Sequence, residues 1–272
     1  MIRRLTSLDE HRAFIADFVG DPVFSDPMLA TAEELELNLL RAVSKPNDHV
    51  LGVYEGGCLT GLFVFLILPE ERYLEMIVGL SRAAAAYEEI AAWLEAECPG
   101  YQADFVFNPA NPLLRSLLAR KRAAFLPEQR CMVLAGPTPA ADTAGVEPLS
   151  APYLAQYLAL HGTDAYWTGE KVVAAPERFR VLLAIEDGAV VGYLDVTNCF
   201  AENEPYDLFV RPEHRRRGWG RKLMAAAIER NRPNGMMLLV DADNAPAIRL
   251  YESLGFAPRP DRNNLTATWH IA

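Results

Sequence analysis

The densest group of residues that could perform chemistry is the run Arg-Arg-Arg-Gly-Trp-Gly-Arg-Lys at 215–222. It separates an apolar, strand-like run at 206–210 from an amphipathic helical pattern that begins at Leu223. A glycine-containing turn before a helix exposes backbone N–H groups at the positive end of the helix dipole, which suits an oxyanion such as pyrophosphate. The spacing matches neither the Walker loop nor the Rossmann fingerprint, so it disfavours ATP and NAD. The alternative is an exposed basic helix start that binds nothing.

A second pattern follows the next strand-like run, at 236–241. Asn244 is a favourable N-cap for a helix, and Pro246 is tolerated in the first turn. Gly255 suits the C-terminal cap. Tyr251 stands seven residues after Asn244, about two helical turns, so both side chains share one face of the predicted helix.

These two patterns resemble the motifs of the GNAT superfamily of acyl-CoA-dependent N-acyltransferases. The pyrophosphate motif Arg/Gln-x-x-Gly-x-Gly/Ala is matched by Arg215, Gly218 and Gly220. The family's helix motif is matched by five further residues: Asn244, Ala247, Tyr251, Gly255 and Phe256. The resemblance covers roughly residues 146–272. It implies an α/β fold with a mixed sheet, acetyl-CoA as cosubstrate, no metal, and direct attack by an amine without a covalent enzyme intermediate.

The resemblance also implies which residues bind acetyl-CoA. The strand-like run at 206–210 corresponds to the strand that precedes the pyrophosphate loop in the family, here called the signature strand. The backbone amides of Phe209 and Val210 on it are expected to pair with the pantetheine arm, and the Val210 N–H could polarise the thioester carbonyl. Asn244 is expected mainly to cap its helix, and its side chain could also reach the coenzyme. The diphosphate is expected among five residues of the basic loop: Arg215, Gly218, Gly220, Arg221 and Lys222. Trp219 in the same loop is a further candidate for coenzyme binding. Arg216 and Arg217 are either solvated or reach the 3′-phosphate.

Tyr251 is the candidate general acid for the departing thiolate, because a phenol can donate a proton or a hydrogen bond to developing negative charge. The alternative is that its ring only packs against the acyl chain. A primary amine must also lose a proton before it attacks. Asp207 on the signature strand and Glu204 just upstream are the candidate bases, with Glu204 acting through a water. Either carboxylate can instead be a solvated charge at a strand end.

The segment 161–170 lies where members of the resembled family cover the acceptor pocket. Tyr166, Trp167 and Glu170 would suit an amine held by charge and by cation–π contact. The alternative is that the two aromatic rings only seal a gap between helices. His161 is interpreted as a helix-end residue rather than as a base.

The order of predicted elements is repeated on the two sides of a Pro/Gly-rich stretch at 136–145. We therefore predict two tandem units, a GNAT-like domain at 1–135 and a catalytic domain at 146–272, joined by a linker. The closing strands are predicted at 130–134 and 265–271, and a second helix of the catalytic domain near 175–179.

The first predicted unit lacks the chemistry of the second. After Leu80 it has no glycine and a single arginine, Arg82, so it has no comparable basic loop. Leu118 stands seven residues after Asn111, at the place that corresponds to Tyr251. This first unit is predicted to be degenerate and non-catalytic.

Composition excludes several classes of function. A net charge of −10 argues against nucleic acid as the partner. The longest apolar run, 62–68, is far too short to span a bilayer, and the N-terminus lacks the pattern of a signal peptide, so a cytoplasmic protein is expected. The four cysteines and five histidines are scattered, which predicts no metal site.

The sequence leaves two functions open. The first is an N-acetyltransferase that acts on the primary amine of a small molecule or peptide. The second is a non-catalytic acyl-CoA-binding sensory or regulatory module. Tyr251 favours the enzyme, because a pure binder needs no acid at that spacing. The tandem layout also resembles mycothiol synthase, although no residue of the acceptor loop singles that enzyme out. The acceptor, the acyl-chain preference and a possible homodimer are left open.

Overall fold

Apolar strands and amphipathic helices form a mixed α/β fold in the computed structural model, which describes residues 1–136, 140, 142–162 and 167–272. The chain divides into two compact units. The first unit is Met1–Arg130 together with Arg259–Ala272, and the second is Cys131–Pro258. Within the described ranges, no helix combines the length and the apolar character that crossing a membrane requires.

The described residues contain the following strands: β1 (Ile2–Arg4), β2 (Asp48–Glu55), β3 (Cys58–Leu68), β4 (Tyr73–Ser81), β5 (Gln102–Phe107), β6 (Ala124–Phe125), β7 (Gln129–Leu134), β8 (Val146–Pro148), β9 (Phe179–Glu186), β10 (Ala189–Thr197), β11 (Glu202–Asn203), β12 (Pro205–Val210), β13 (Gly235–Asp241), β14 (Phe256–Pro258) and β15 (Leu265–His270). The α-helices are α1 (Arg12–Ala16), α2 (Ala32–Leu35), α3 (Ala84–Glu97), α4 (Pro112–Arg120), α5 (Leu154–Leu160), α6 (Gly169–Ala174), α7 (Trp219–Asn231) and α8 (Ala245–Glu252). A π-helical turn, Glu36–Leu40, continues α2.

The first unit is built on one seven-stranded sheet with the order β1-β2-β3-β4-β5-β15-β6. Neighbouring strands are antiparallel except β4 and β5, which run parallel from the Tyr73–Gln102 pair to the Met76–Phe105 pair. Helices α3 and α4 contribute apolar side chains to a core with the sheet, in which Tyr87 meets Phe63 edge to face at 5.5 Å. Alternation along the strands therefore buries one face beneath these two helices.

The second unit contains two separate four-stranded sheets, with the orders β12-β10-β9-β8 and β11-β13-β7-β14. Strand β12 pairs with β10 on one side, and it does not pair with β13, which lies in the other sheet. Helix α7 supplies the centre of the apolar core, with Leu223, Met224 and Ala226 fully buried. The two sheets thus diverge at β12 and leave that strand with an open edge.

The two closing strands are exchanged relative to the sequence prediction. Strand β7 lies in the second unit, where Leu134 pairs with Phe256 of β14. Strand β15 lies in the first unit, where Leu265 pairs with Phe107 of β5. The compact units therefore differ from the predicted ranges 1–135 and 146–272. Both closing strands have similar apolar patterns, and such a pattern does not specify the partner strand.

The predicted helix near 175–179 is also wrong. Thr168 caps α6 by accepting a hydrogen bond from the Lys171 N–H, and the helix ends at Ala174. Phe179 already begins β9, where its side chain is buried. The β-branched and aromatic residues that follow favour a strand over a helix.

The first unit has lost the loop that precedes the helix after its signature strand. Only two residues, Arg82 and Ala83, separate β4 from α3, whereas eight residues separate β12 from α7. The Arg82 guanidinium is paired with Asp21 at 2.6 Å and also donates to the Asp17 carbonyl. The single arginine at this place is therefore neutralised within the unit.

A buried aspartate covers the end of β4 in the same unit. The Asp26 Oδ2 atom accepts a hydrogen bond from the Gly79 N–H at 2.8 Å, and Oδ1 accepts one from the Met28 N–H at 2.9 Å. Gly79 lies beyond the last residue of β4 that pairs with β5. A side chain of the chain itself thus occupies an amide that β5 leaves without a partner.

We expect Asp26→Ala to lower the free energy of unfolding at pH 5 by about 1–3 kcal/mol, because it leaves the buried Gly79 N–H without an acceptor. Burial raises the pKa of Asp26 to about 7, so the folded state binds its proton more tightly than the unfolded state does. Wild-type stability should therefore fall as the pH rises from about 4 to about 7, and the variant should lack this component. Urea unfolding across this pH range measures both effects.

The matched control is Asp9→Ala, which removes an exposed carboxylate that is paired only with Arg12 and Ser7. This variant should stay close to the wild type at every pH. Equal losses in the two variants would contradict the role assigned to Asp26.

Candidate acyl-donor and proton-transfer site

The basic loop forms an unusual turn at the start of α7. Arg216 and Gly218 both have positive φ values, 63° and 87°, and Gly218 is the N-cap of the helix. No side chain caps this terminus. The first-turn amides of Trp219, Gly220 and Arg221 have no acceptor within the helix, because an α-helix leaves its first N–H groups unpaired. The turn therefore presents backbone donors at the positive end of the helix dipole.

A cleft of about 440 Å³ opens onto this turn. It is bounded by the end of β12, the loop, the first turn of α7 and one face of α8. The residues that line it are Val210, His214, Arg215, Arg216, Gly218, Trp219, Gly220, Arg221, Pro246, Arg249 and Leu250. Four of these residues, His214, Pro246, Arg249 and Leu250, were not predicted from the sequence. Three of them lie on α8, where only the helical periodicity could have indicated them, and His214 lies at the turn before the loop.

Four arginines give the cleft its positive charge. They are Arg215, Arg216, Arg221 and Arg249, and within the described part of the chain none of the four is in a salt bridge. The Arg215 Nε–H donates to the Val210 carbonyl at 3.0 Å, which holds that side chain against the end of β12. Because the protein is acidic overall, these unneutralised guanidinium groups form a local site for an anion.

Two of the predicted basic residues are directed elsewhere. Arg217 makes a two-point ion pair with Glu186, at 2.6 and 3.0 Å, and is not among the residues that line the cleft. Lys222 pairs with Asp142 at 2.7 Å and donates to the Ala144 carbonyl. Both were predicted to bind coenzyme because basic residues in one turn look alike in sequence, although helical geometry sends their side chains to different faces.

Other predicted residues have a structural component. The Trp219 ring is buried in the core next to Gly145. Trp219 also lines the cleft, where its backbone amide lies in the first turn of α7. Asn244 caps α8 by accepting from the Ala247 N–H at 3.2 Å and does not line the cleft. Arg221 lines the cleft while donating to the Ser253 Oγ at 2.5 Å near the end of α8.

The open edge of β12 carries the Val210 amide and not the Phe209 amide. The Arg211 N–H donates to the Val191 carbonyl of β10 at 2.9 Å. The backbone N–H groups of an antiparallel strand alternate between its two edges. The Phe209 N–H therefore points toward β10, where Phe209 pairs with Tyr193, and the Val210 N–H points away from β10. The predicted pairing of both amides with one ligand is therefore not possible on this edge, and Val210 is the one available.

Tyr251 combines a packed ring with an available hydroxyl. Its ring packs against the core of the second unit and lies 6.0 Å from the Phe256 ring, at an angle of 61°. Within the described residues, its hydroxyl has no hydrogen-bond partner. Burial raises the pKa of Tyr251 above its ordinary value, so the phenol keeps its proton. Both predicted roles, packing and proton donation, are compatible with this geometry.

Asp207 belongs to a polar cluster on β10, β12 and the end of α5, in which the other members are buried. Its Oδ2 atom accepts a hydrogen bond from the Tyr193 hydroxyl at 2.7 Å and lies 3.7 Å from the His161 Nε2 atom. His161 Nε2 in turn lies 2.9 Å from Asp195 Oδ2, and the Tyr157 hydroxyl donates to Asp195 at 3.0 Å. Asp195 and Asp207 are direct cross-strand partners.

Burial shifts the pKa values of three members of this cluster, Asp195, Tyr157 and Tyr193. Burial is the main reason that the pKa of Asp195 is raised to about 6, although its hydrogen bonds with His161 and Tyr157 act in the opposite direction. Burial, aided by the nearby carboxylates, also raises the pKa values of Tyr157 and Tyr193, so both remain hydrogen-bond donors.

The sequence analysis missed His161 and Asp195 as members of one group. Their only indication was an aspartate within the otherwise apolar β10 and a histidine at the end of α5. The ligand-type atoms of His161, Asp195 and Asp207 lie within 4.8 Å of one another, although scattered histidines had predicted no such cluster. The same atoms take part in the hydrogen bonds that join His161 to Asp195 and Tyr193 to Asp207.

The remaining predicted residues are more dispersed. The Glu204 backbone N–H donates to the Thr197 Oγ1 atom at 2.7 Å, which fixes the strand just before Asp207. The Trp167 ring contacts the Phe179 ring edge to face at 4.9 Å, with the Arg178 guanidinium 5.0 Å from its centre. Glu170 is exposed in the first turn of α6. Tyr166 lies outside the described residues.

Residues 177–258 match the family described as the acetyltransferase (GNAT) domain. The C-terminal half of the chain carries a GNAT acetyltransferase domain. The matched segment contains β12, the basic loop, α7 and α8, which together form the cleft. Strands β7 and β8 and helices α5 and α6 of the second unit lie outside the match.

Relatives support the same family. An L-methionine sulfoximine/L-methionine sulfone acetyltransferase of Salmonella typhimurium is 34% identical over 86 residues, which are 29% of this chain and 50% of that protein. A mycothiol acetyltransferase of Kocuria rhizophila is 49% identical over 59 residues, which are 21% of this chain and 20% of that protein. The chain thus spans no more than about half the length of these two curated relatives.

A solved structure shows that the fold extends beyond the matched domain. A tandem GNAT protein from the clavulanic acid biosynthesis pathway superimposes with a TM-score of 0.60 and covers 100% of this chain and 98% of that one. Its sequence identity is 17%, so the similarity establishes a shared fold. The tandem arrangement predicted from the sequence is consistent with this fold.

We expect Arg249→Ala to weaken binding of inorganic pyrophosphate about 10-fold, because it removes one charge-assisted contact from the cleft. Arg217→Ala is the matched control, since that guanidinium is paired with Glu186 away from the cleft, and its affinity should remain near the wild type. Isothermal titration calorimetry at low ionic strength measures both. Equal weakening in the two variants would mean that general charge, rather than this cleft, attracts the anion.

Proposed function

We propose that the GNAT domain transfers an acetyl group from acetyl-CoA to the primary amine of a small molecule or peptide, by direct attack within a ternary complex. One observation carries this proposal: the unpaired Val210 edge of β12 opens at the same cleft as the free first-turn amides and the unneutralised arginines. A coenzyme that ends in a thioester and carries a diphosphate needs both features.

The residues present fit acetyl-CoA in their chemistry. The diphosphate would accept hydrogen bonds from the first-turn amides of α7 and from the cationic side chains Arg215, Arg216 and Arg249. The pantetheine amides would pair with the open edge of β12, as an added strand pairs with a sheet. The first unit offers no such site, because its loop is missing and Asp26 occupies the Gly79 amide.

The proposed reaction has one nucleophilic step. The lone pair of the amine attacks the thioester carbonyl carbon, the Val210 N–H stabilises the developing oxyanion, and the carbon–sulfur bond then breaks. Tyr251 donates a proton to the departing sulfur, a role that its protonated hydroxyl, free of partners among the described residues, supports. Asp207 or Glu204 accepts the proton that the ammonium must lose. Asp207 has the stronger structural support, because it is partly exposed and held by Tyr193.

The named relatives support acetyl transfer, but their different substrates do not indicate which acceptor this protein uses. The Salmonella protein is named for acetylation of methionine derivatives and the Kocuria protein for acetylation in relation to mycothiol. Both similarities are confined to short segments of this chain. The acceptor of this protein is therefore proposed only as an amine, and Trp167 and Glu170 are proposed to lie near its path.

We expect the wild type to release free thiol from acetyl-CoA in the presence of an accepted amine, and Tyr251→Phe to lower kcat by roughly 10²-fold. The dissociation constant for coenzyme A should change little, because the ring still packs. A panel of amines with a thiol-reactive dye measures the rates, and calorimetry measures the binding.

Tyr101→Phe serves as the control, since it removes a hydroxyl from the first unit. Unchanged kcat in Tyr251→Phe would remove the acid role. Tight binding of coenzyme A without thiol release for any amine would overturn the enzymatic proposal and favour an acyl-CoA-binding sensor.

A further inference from the structure

Within the described residues, the cluster around His161 reaches solvent through one side chain. The Asp207 side chain retains 37% of its accessible surface, whereas His161 retains 3% and Asp195 none. Tyr157 and Tyr193 are also buried. Any proton exchanged between this cluster and a substrate therefore passes through Asp207.

The hydrogen bonds determine how many protons the buried pair holds. His161 Nδ1 lies 2.9 Å from the Gly162 carbonyl oxygen, which can only accept, so Nδ1 carries a hydrogen. His161 Nε2 lies 2.9 Å from Asp195 Oδ2, a contact that needs one further hydrogen between the two atoms. Whether that hydrogen resides on the nitrogen or on the oxygen, the pair has a net charge of zero.

This neutrality matters because the two carboxylates are cross-strand neighbours. Two ionised carboxylates in one buried site repel each other, and one of them then takes up a proton at a raised pH. Among the described residues, the other titratable groups that contact the pair are the phenols Tyr157 on α5 and Tyr193 on β10, both of which donate hydrogen bonds to a carboxylate. Strand β9 contributes the apolar Val181 as the partner of Asp195. His161 is therefore the one side chain among these neighbours that can offset the charge of Asp195.

We propose that His161 is a positioning residue that shares a proton with Asp195, so that Asp207 faces a neutral partner and stays ionised to accept the proton of the amine. This inference rests on the proposed acetyl transfer. In the step concerned, the N–H bond of the ammonium breaks, its electron pair stays on nitrogen as the nucleophilic lone pair, and an O–H bond forms on Asp207. Asp207 then returns the proton to solvent through its exposed side.

A purely structural role for His161 makes a different prediction. If the histidine only joins the end of α5 to the sheet, its loss lowers activity or stability at every pH by a similar factor. If it neutralises Asp195, its loss moves the acid limb of the pH profile. The dependence of kcat/KM on pH thus separates the two roles.

We expect His161→Gln to move the acid limb of kcat/KM upward by about one pH unit or more, because the buried Asp195 and the partly exposed Asp207 then repel each other as two neighbouring carboxylates. Glutamine can still donate a hydrogen bond to Asp195 but cannot carry the charge. The double variant His161→Gln with Asp195→Asn should return the limb close to its wild-type position, since the partner of Asp207 is neutral again. His270→Gln, on β15 of the first unit, is the control and should not shift it.

The same comparison can be made without substrate. Carboxyl ¹³C shifts of labelled aspartate report the titration midpoint of the cluster in the resting protein, and thermal melts confirm that each variant is folded. An unshifted midpoint in His161→Gln would overturn the proposal, as would a double variant that stays at the single-variant value. If the wild type transfers acetyl to no amine while these midpoints move as expected, the acetyltransferase proposal fails and the charge-neutralising role of His161 stands.

Discussion

The divergence of β12 from β13 is the constraint on which the rest of the second unit depends. A strand edge inside a protein needs partners for its amides, because an unpaired buried N–H group is costly. In the second unit this edge meets a cationic cleft, so an elongated polar ligand can complete it. In the first unit the corresponding strand, β4, is completed from within, since Asp26 binds the Gly79 amide. The two units thus satisfy the same geometric requirement in opposite ways.

The positive charge of the cleft depends on which basic side chains are paired with carboxylates, and not on how many basic residues the loop contains. Of the basic residues in the loop, Arg217 and Lys222 are held by carboxylates outside the cleft, while Arg215 and Arg216 have no ion pair with any described residue. Arg249 joins them from a different helix. The site therefore gains positive potential where backbone donors also converge, in a protein whose net charge is −10.

Much of the donor side of the site could be predicted from the sequence. Loop glycines, a capped helix and a tyrosine at a fixed helical spacing are local features, and local geometry determines them: Gly218 does adopt a positive φ, and Asn244 does cap α8. Side-chain direction within the loop could not be predicted, because it depends on where Glu186 and Asp142 lie. The His161 cluster was equally inaccessible, since its members come from α5, β10 and β12 and meet only through strand register.

Because β7 and β15 are exchanged, neither compact unit is one continuous half of the chain. Strand β5 gains its neighbour β15 only when residues 265–270 have been synthesised, so during translation the earlier sheet is the later one to be completed. The second unit, which carries the GNAT motifs, instead needs a strand that comes earlier in the chain. Strand β7 is synthesised before the rest of this unit and pairs with β14. A cut in the stretch 136–145 would leave each fragment with a strand whose partners lie on the other. Each compact unit therefore needs residues from both sides of this stretch to complete its sheets.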